Sequence, residues 1–168
     1  MIITLENARI RQETRYGNTF DGFDTLLREY FLGHIIEEIG EARKYVPRKK
    51  WKDMPQHFAN DFVLFDEYLD ELVDIHLFVE NFLLASGFTE FDFSAFYAEY
   101  SNIFEEPDFY EIIRQMNLLV LQTISPQAMA KTFGRILNAS QIYVIQFEEA
   151  YAKKVEYNKV RPDHKELV

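Results

Sequence analysis

The sequence contains no cysteine, only 6 glycines and 5 prolines, and fewer basic than acidic residues. Without cysteine, the chain forms no disulfide, has no thiolate nucleophile and offers no sulfur ligand for zinc. No stretch approaches the ~18 consecutive apolar residues of a membrane-spanning helix, and the first residues lack the apolar run of a secretory signal peptide. We therefore expect a soluble, cytoplasmic protein without a membrane partner.

The charge is strongly negative, because 28 acidic residues outnumber 18 basic ones and give a formal net charge of −10. Binding to duplex nucleic acid needs a basic surface, so we expect no nucleic-acid partner. A polyanion can still bind where metal ions and a local basic cluster mediate the contact. The aromatic content of 16% is compatible with a subunit interface or a base-stacking pocket.

Helical spacing of apolar residues dominates the chain, and alternation with a period of two is rare. The pattern predicts a first long helix over 21–45, ended by Pro47, and a second over 58–86, capped by Gly87. Shorter helices are expected at about 92–101, 108–122 and 126–135. A final helix is expected at roughly 136–158, with its start near Asn138 or Ser140. The predicted fold is all-α, with a core of four to five helices.

Two acidic patterns lie within the two long predicted helices. Glu38 and Glu41 belong to EEIGE, and Glu71 and Asp74 belong to ELVD. Residues three apart share a helix face. A single pair of this kind is usually a solvated face. Two facing pairs would repel each other, and hard divalent cations such as Mg²⁺ would remove that repulsion.

The basic residues near the C-terminal end of the sequence also follow helical spacing. Lys154, Asn158 and Arg161 form a cationic, amide-bearing face suited to phosphate oxygens. Together with the acidic pairs, this face predicts a metal-dependent site for a nucleotide polyphosphate.

A basic link, PRKKWKDMP, joins the two long helices and holds the single tryptophan, Trp51. It is either a solvated loop with Trp51 packed on the core, or a nucleotide contact with Lys50 or Lys52 on a phosphate and Trp51 beside a base. Asn81 follows the acidic stripe of the second helix. Its amide could read the edge of a pyrimidine or make a contact between helices.

Both long helices contain a histidine, His34 in the first and His76 in the second. Histidine is often partly buried, so we expect both to be packed or hydrogen-bonded helix residues rather than metal ligands.

Four segments, EEIGE, KKWK, ELVDIHLFVENFLL and AYAKKVEYNKVRPDH, resemble the all-α dimeric dUTPases. They are also similar to phage-type dCTPase-dUTPase enzymes and to the wider MazG-like nucleoside triphosphate pyrophosphatases. The resemblance covers 30–86 and 148–164 well and 88–147 poorly. It implies a homodimer of a single all-α domain over 1–168. That domain would have a rigid core at about 20–87 and 136–160 and a smaller, variable helical lobe at about 88–135.

The resemblance also implies an activity, the hydrolysis of a pyrimidine deoxynucleoside triphosphate, dUTP before others, to the monophosphate and pyrophosphate. Its implied cofactor is Mg²⁺, with roughly two or three ions in each site. Glu38, Glu41, Glu71 and Asp74 would be the metal ligands. Glu38 or Glu41 would orient the attacking water or take its proton.

By the same resemblance, six residues would contact the nucleotide. They are Lys154, Asn158 and Arg161 at the phosphates, and Trp51, Lys52 and Asn81 in or near the nucleotide pocket.

The chain departs from the family pattern near its C-terminal end. Val155 stands where the family has asparagine, Pro162 where it has glutamine, and His164, Lys165 and Glu166 replace a Gly-Tyr ending. These departures leave open a pyrophosphatase for dCTP or another, non-canonical nucleotide. They also leave open an inactive homologue that acts as an interaction protein.

Overall fold

The structure, a computed structural model, describes residues 2–17, 22–46, 62–121 and 124–161. Within these ranges it contains helices and turns but no strand, apart from two isolated backbone bridges, so the all-α prediction is confirmed. No helix in the described ranges combines the length and apolar character that a bilayer span requires. The helices are α1 (Leu5–Tyr16), α2 (Thr25–Arg43), α3 (Phe62–Ala85), α4 (Phe93–Tyr100), α5 (Phe109–Leu121), α6 (Pro126–Ala139) and α7 (Val144–Val160).

Helix α3 is the centre of the fold, and α1, α2, α6 and α7 all pack against it. Its apolar residues recur at helical spacing and form the predicted core stripe. Leu72, Val73, Val79 and Leu83 are buried in this stripe. The predicted cap, Gly87, follows the end of the helix. Its φ is 90°, a value that glycine readily adopts, and its N–H donates to the Leu84 carbonyl at 3.0 Å.

Helix α1 is an addition to the sequence-based prediction. Most of its side chains are polar, so its apolar periodicity is weak, and among its side chains that the structure describes only Leu5 and Ala8 are fully buried. The Thr4 side chain caps its start by accepting from the Asn7 N–H. The preceding segment is tied to α4, because the Phe93 N–H donates to the Ile3 carbonyl at 2.9 Å.

The boundary between the last two helices differs from the prediction. We expected a helix ending near 135 and a final helix starting near Asn138 or Ser140, but α6 continues to Ala139 and α7 starts at Val144. The start near Asn138 or Ser140 is therefore wrong. The reason is that Ile136 and Leu137 extend the buried stripe of α6, and the chain then turns at Gln141, whose φ is 59°.

Residues from the predicted lobe at 88–135 and from the predicted rigid core share one apolar core. Phe93 on α4, Ile112 on α5 and Phe133 on α6 lie in the same buried cluster as Leu72 on α3 and Phe147 on α7. Helix α4 also contacts α7, and α5 contacts α2. The difference in rigidity between the two parts stays a prediction.

A buried carboxylate joins α5 to α6. Glu111 accepts hydrogen bonds from Arg114 Nε at 2.9 Å, Arg135 Nε at 2.9 Å and Gln115 Nε2 at 2.8 Å. The hydrogen bond from Arg114 is the main reason why the pKa of Glu111 falls to about 2, and Arg135 and Gln115 lower it further against the opposing effect of burial.

A second buried network joins α1, α3, α4 and α7. Glu80, which is fully buried, accepts from Arg11 at 2.7 Å and from the Tyr151 hydroxyl at 2.8 Å. His76 lies between Glu80 and the Tyr97 hydroxyl, with Nδ1 3.0 Å from the carboxylate and Nε2 2.9 Å from the hydroxyl. The prediction that His76 is a packed, hydrogen-bonded helix residue is confirmed.

Candidate functional site

Three predicted metal ligands come together where α2 packs along α3. Glu38 on α2 and Glu71 and Asp74 on α3 each offer a carboxylate oxygen, and these oxygens all lie within 4.8 Å of one another. The local sequence explains the placement. Ile35 and Ile39 bury one face of α2 against the core, which puts Glu38 at the edge of that face, half-buried beside α3.

Burial and neighbouring acidic groups raise the pKa values of all three carboxyl groups. Burial, followed by the charges of Asp74 and Glu71, raises the pKa of Glu38 to about 7. The pKa values of Glu71 and Asp74 are also raised, in both cases mainly by burial. The interaction between the Glu38 and Glu71 carboxyl groups raises the pKa of Glu38 further and lowers that of Glu71. The site therefore concentrates more negative charge than the neighbouring side chains neutralise.

One lysine reaches the carboxylates from the opposite helix. Lys154 on α7 donates from Nζ to Asp74 Oδ2 at 2.7 Å. Burial opposes the charged form of Lys154, but the hydrogen bond and the charge of Asp74 outweigh it and raise the lysine pKa. Tyr151 and Val155, both buried on α7, fix the helix in the rotation that points Lys154 at α3.

The fourth predicted ligand, Glu41, does not join the cluster. It lies one turn beyond Glu38 on α2, its side chain is 52% exposed, and its carboxylate contacts Lys44.

The other two predicted phosphate contacts follow Lys154 along the chain. Asn158 is half-buried one turn beyond Lys154. Arg161 is exposed at the end of α7, 5.9 Å from the Tyr157 ring, and its charge lowers the pKa of Asp74.

Several predicted nucleotide contacts fall on residues that the structure does not describe. Trp51 and Lys52 lie outside the described residues, together with the rest of the link at 47–61. The predicted roles of Trp51 and Lys52 stay predictions. Pro162 and His164, which depart from the family pattern, also lie outside the described residues.

Next to the carboxylates lies a group of rings that the sequence analysis did not single out as a site. His34 stacks on Phe78 with 4.7 Å between ring centroids and 11° between planes, and Tyr30 meets His34 edge-on at 4.6 Å. The sequence spacing between these rings and the carboxylates indicates that they lie close together. His34 lies four residues before Glu38, and Phe78 lies four residues after Asp74, so each ring is one turn from a carboxylate.

The predicted base contact, Asn81, lies one turn beyond Phe78 on α3 and is only 8% exposed. Within the described ranges its side-chain amide makes no hydrogen bond and is not fully enclosed, so it is open to a polar partner. Carboxylates, stacked rings and an amide thus follow one another along the contact between α2 and α3.

Comparison of this chain with protein-family models, with curated proteins and with solved structures found no match.

Proposed function

We propose that this protein hydrolyses a pyrimidine deoxynucleoside triphosphate, with dUTP as the first candidate, to the monophosphate and pyrophosphate in the presence of Mg²⁺. The observation that supports this proposal is the arrangement of Glu38, Glu71 and Asp74 around one point, with Lys154 beside them. An arrangement of hard oxygen ligands next to a cation is suited to a metal-bound polyphosphate.

The cluster fits the coordination chemistry of Mg²⁺. Mg²⁺ binds oxygen at about 2.0–2.1 Å, so two oxygens on one ion lie at most ~4.2 Å apart. The oxygens of Glu38, Glu71 and Asp74 lie within 4.8 Å of one another, so small side-chain rotations would bring them into range. All three side chains are only half-buried, which leaves room for the waters and phosphate oxygens that usually complete the coordination of Mg²⁺.

The two proposed proton acceptors differ in placement. Glu38 lies inside the cluster, whereas Glu41 lies one turn toward solvent. When bound, Mg²⁺ supplies charge neutralisation and a more acidic water. Because Glu38 would be engaged as a ligand, Glu41 is the better placed of the two to orient a water or to take its proton. Glu41 could also serve a further ion, as the expectation of two or three ions requires.

The phosphates would bind on the α7 side of the cluster. An ammonium has three N–H donors, so Lys154 can keep its hydrogen bond to Asp74 and still donate to a phosphate oxygen. Asn158 and Arg161 follow on the same stretch of α7, where their donors would extend the contact along the phosphate chain.

The base would bind along the ring group. The Phe78 ring offers an apolar surface beside Asp74, and the amide of Asn81 offers both an NH₂ donor group and a carbonyl acceptor. An amide can turn to match uracil or cytosine, so a preference for dUTP over dCTP would have to come from further contacts. Trp51 and Lys52 are the proposed further contacts.

We also propose a homodimer. Helix α2 buries one face against α3, yet Leu26 and Ile36 on its outer side are 83% and 53% exposed. A helix that is apolar on both faces is suited to a second packing partner. Sedimentation should give a dimer for the wild type and a monomer for the double variant Leu26→Glu and Ile36→Glu.

The decisive experiment is pyrophosphate release from a panel of deoxynucleoside triphosphates with and without Mg²⁺. We expect release that requires Mg²⁺ and is abolished in Glu71→Gln. The same change at the exposed Glu99 on α4 is the matched control and should leave the rate unchanged. In Glu41→Gln, a slower rate with unchanged stabilisation by Mg²⁺ would assign that residue to proton transfer rather than to metal binding.

A folded protein that releases no pyrophosphate from any of these nucleotides would contradict the proposal. That result would favour the alternative of an inactive homologue acting as an interaction protein.

A further inference from the structure

A cavity of about 210 Å³ lies between α4, the segment that follows α4, α6 and the start of α7. It shares no residue with the carboxylate cluster or with the ring group beside it. Four of its lining residues are aromatic, namely Phe96, Tyr97, Tyr100 and Phe104. Phe96 and Tyr100 are stacked, with 4.5 Å between ring centroids and 24° between planes. Flat apolar walls of this kind suit a flat, apolar ring.

The cavity is a built feature of the fold rather than a loose surface gap. Tyr97 is 2% exposed, and its hydroxyl is held by His76 Nε2 at 2.9 Å, so this wall is fixed by the buried network. Gly134 on α6 lines the cavity next to Tyr97, and a Cβ there would lie 3.5 Å from Tyr97 Cδ1, in ordinary van der Waals contact. A long side chain at this lining position would have to extend past Tyr97 into the cavity.

One buried polar group in the wall has no partner among the described residues. Asn138 is only 8% exposed and lines the cavity, and its side-chain amide makes no hydrogen bond within the described ranges. Among the described residues, Arg43 Nε is the one side-chain nitrogen or oxygen that is both fully enclosed and without a partner, so the Asn138 amide is open to the cavity rather than sealed off. Its donors and its acceptor are therefore available to a polar group bound there.

The cavity also has a cation available. Arg135 lines it, but the Arg135 guanidinium is already paired with Glu111 at 2.9 Å. Lys131 lines it as well, is exposed, and forms no ion pair within the described residues. The protein as a whole has a net charge of −10, so Lys131 gives this cavity a local positive charge that can attract an anion.

We propose that this cavity is a second binding site, which takes a small planar aromatic anion. The ring would lie against Tyr97 and the stacked pair, a polar substituent would meet the amide of Asn138, and the negative charge would face Lys131. The volume fits a single ring, whereas pockets for drug-sized ligands run from about 300 to 1,000 Å³. The ligand would therefore be smaller than a nucleoside triphosphate.

The test is to titrate the full chain with four small probes and to measure binding by NMR and by calorimetry. Benzoate and orotate are planar ring carboxylates, one carbocyclic and one a pyrimidine, and they separate the two sources of such an anion. Benzamide keeps the ring without the charge, and cyclohexanecarboxylate keeps the charge without the flat ring. We expect benzoate or orotate to bind with a dissociation constant in the millimolar range or below, and the other two to bind more weakly.

Variants locate the binding. Asn138→Leu should weaken it about tenfold, because a satisfied buried amide is lost. Lys131→Met should weaken it about two- to fivefold, because the charge is exposed and screened. Lys153→Met, which removes an exposed lysine on α7, is the matched control and should change nothing. Gly134→Met should fill the cavity and abolish binding.

Lys131 is exposed, so its variant should fold even if the substitution at Gly134 does not, and circular dichroism checks this. Absence of binding by both planar anions would overturn the proposal. Binding that is equal in the wild type, Lys131→Met and Asn138→Leu would overturn it too, and so would equal binding of cyclohexanecarboxylate and benzoate.

Discussion

Removing one charge from the carboxylate cluster should stabilise the metal-free protein. Glu38→Gln keeps the shape of the side chain and resembles the protonated acid. The pKa of Glu38 is about 7 in the folded protein, compared with 4.5 for an ordinary glutamate, because burial and the neighbouring carboxylates disfavour its charge. One pKa unit corresponds to about 1.4 kcal/mol, so the full difference would be ~3.4 kcal/mol. Glu38 is half-exposed, and solvent screening reduces the expected gain to about 1–2 kcal/mol.

The sign of the effect sets its pH dependence. The folded state holds the Glu38 proton more tightly than the unfolded state does. This contribution to stability is therefore complete below pH ~4.5 and is lost as the pH rises through about 7. The advantage of Glu38→Gln should be near zero at pH 4.5 and largest near pH 8. For a chain of this length, 1–2 kcal/mol corresponds to about 2–8 °C in melting temperature.

The assay is urea or thermal unfolding in EDTA at several pH values, with Glu29→Gln, an exposed position on the same helix, as the control. Added Mg²⁺ should stabilise the wild type at pH 8 by mass action and reverse the order of wild type and Glu38→Gln. A Glu38→Gln variant that is no more stable than the wild type at pH 8 in EDTA would contradict the claim that the charge of Glu38 destabilises the metal-free protein. An equal gain in stability at pH 5 and pH 8 would contradict it as well.

Three further predictions concern other parts of the molecule. Asp74→Asn should abolish turnover. It should also abolish the rise in melting temperature that Mg²⁺ causes together with a non-hydrolysable dUTP analogue. If the variant shows the same rise in melting temperature as the wild type, the metal binds elsewhere. Truncation after Val160 should leave the circular dichroism spectrum intact but lower turnover about 10- to 100-fold, because Arg161 is lost, and Arg161→Lys should recover only part of that rate. Turnover by the truncated protein as fast as by the full chain would contradict the proposed role of Arg161 at the phosphates. Glu111→Gln should destabilise the protein at neutral pH. In acid unfolding, the difference in the free energy of unfolding between the variant and the wild type should shrink as the pH falls from about 4.5 through about 2, where Glu111 itself becomes protonated. A difference that does not depend on pH would mean that the charge of Glu111 is not what joins α5 to α6.

Local spacing was enough to predict the main helices and part of the site. The i, i+3 pattern puts Glu71 and Asp74 on one face, and the apolar stripe of α3 decides which face points at the core. Both follow from residues close in sequence. The same rule also paired Glu41 with Glu38. The structure separates them, because Glu38 faces α3 while Glu41 turns toward solvent and Lys44.

Tertiary contacts account for most of what the sequence did not reveal. Helix α1 is polar on most of its surface, and its place in the fold depends on Arg11 reaching Glu80, 69 positions away. The unpartnered amide of Asn138 and the space beside Gly134 likewise depend on how α4 and α6 meet. No local pattern encodes such contacts, since they arise only when separate helices pack together.

The buried network around Glu80 has a consequence for how the molecule opens. Arg11 and Tyr151 both bind this carboxylate and are joined to each other at 2.7 Å, although 140 positions separate them in sequence. If either α1 or α7 detaches, the buried Glu80 carboxylate loses a donor and keeps only His76 and the other helix as partners, so the attachment of the other helix is weakened as well. The amides of α1 and α7 should therefore exchange with deuterium as one cooperative unit. The two helices most distant in sequence would open together, ahead of the α2–α3 pair that carries the carboxylates.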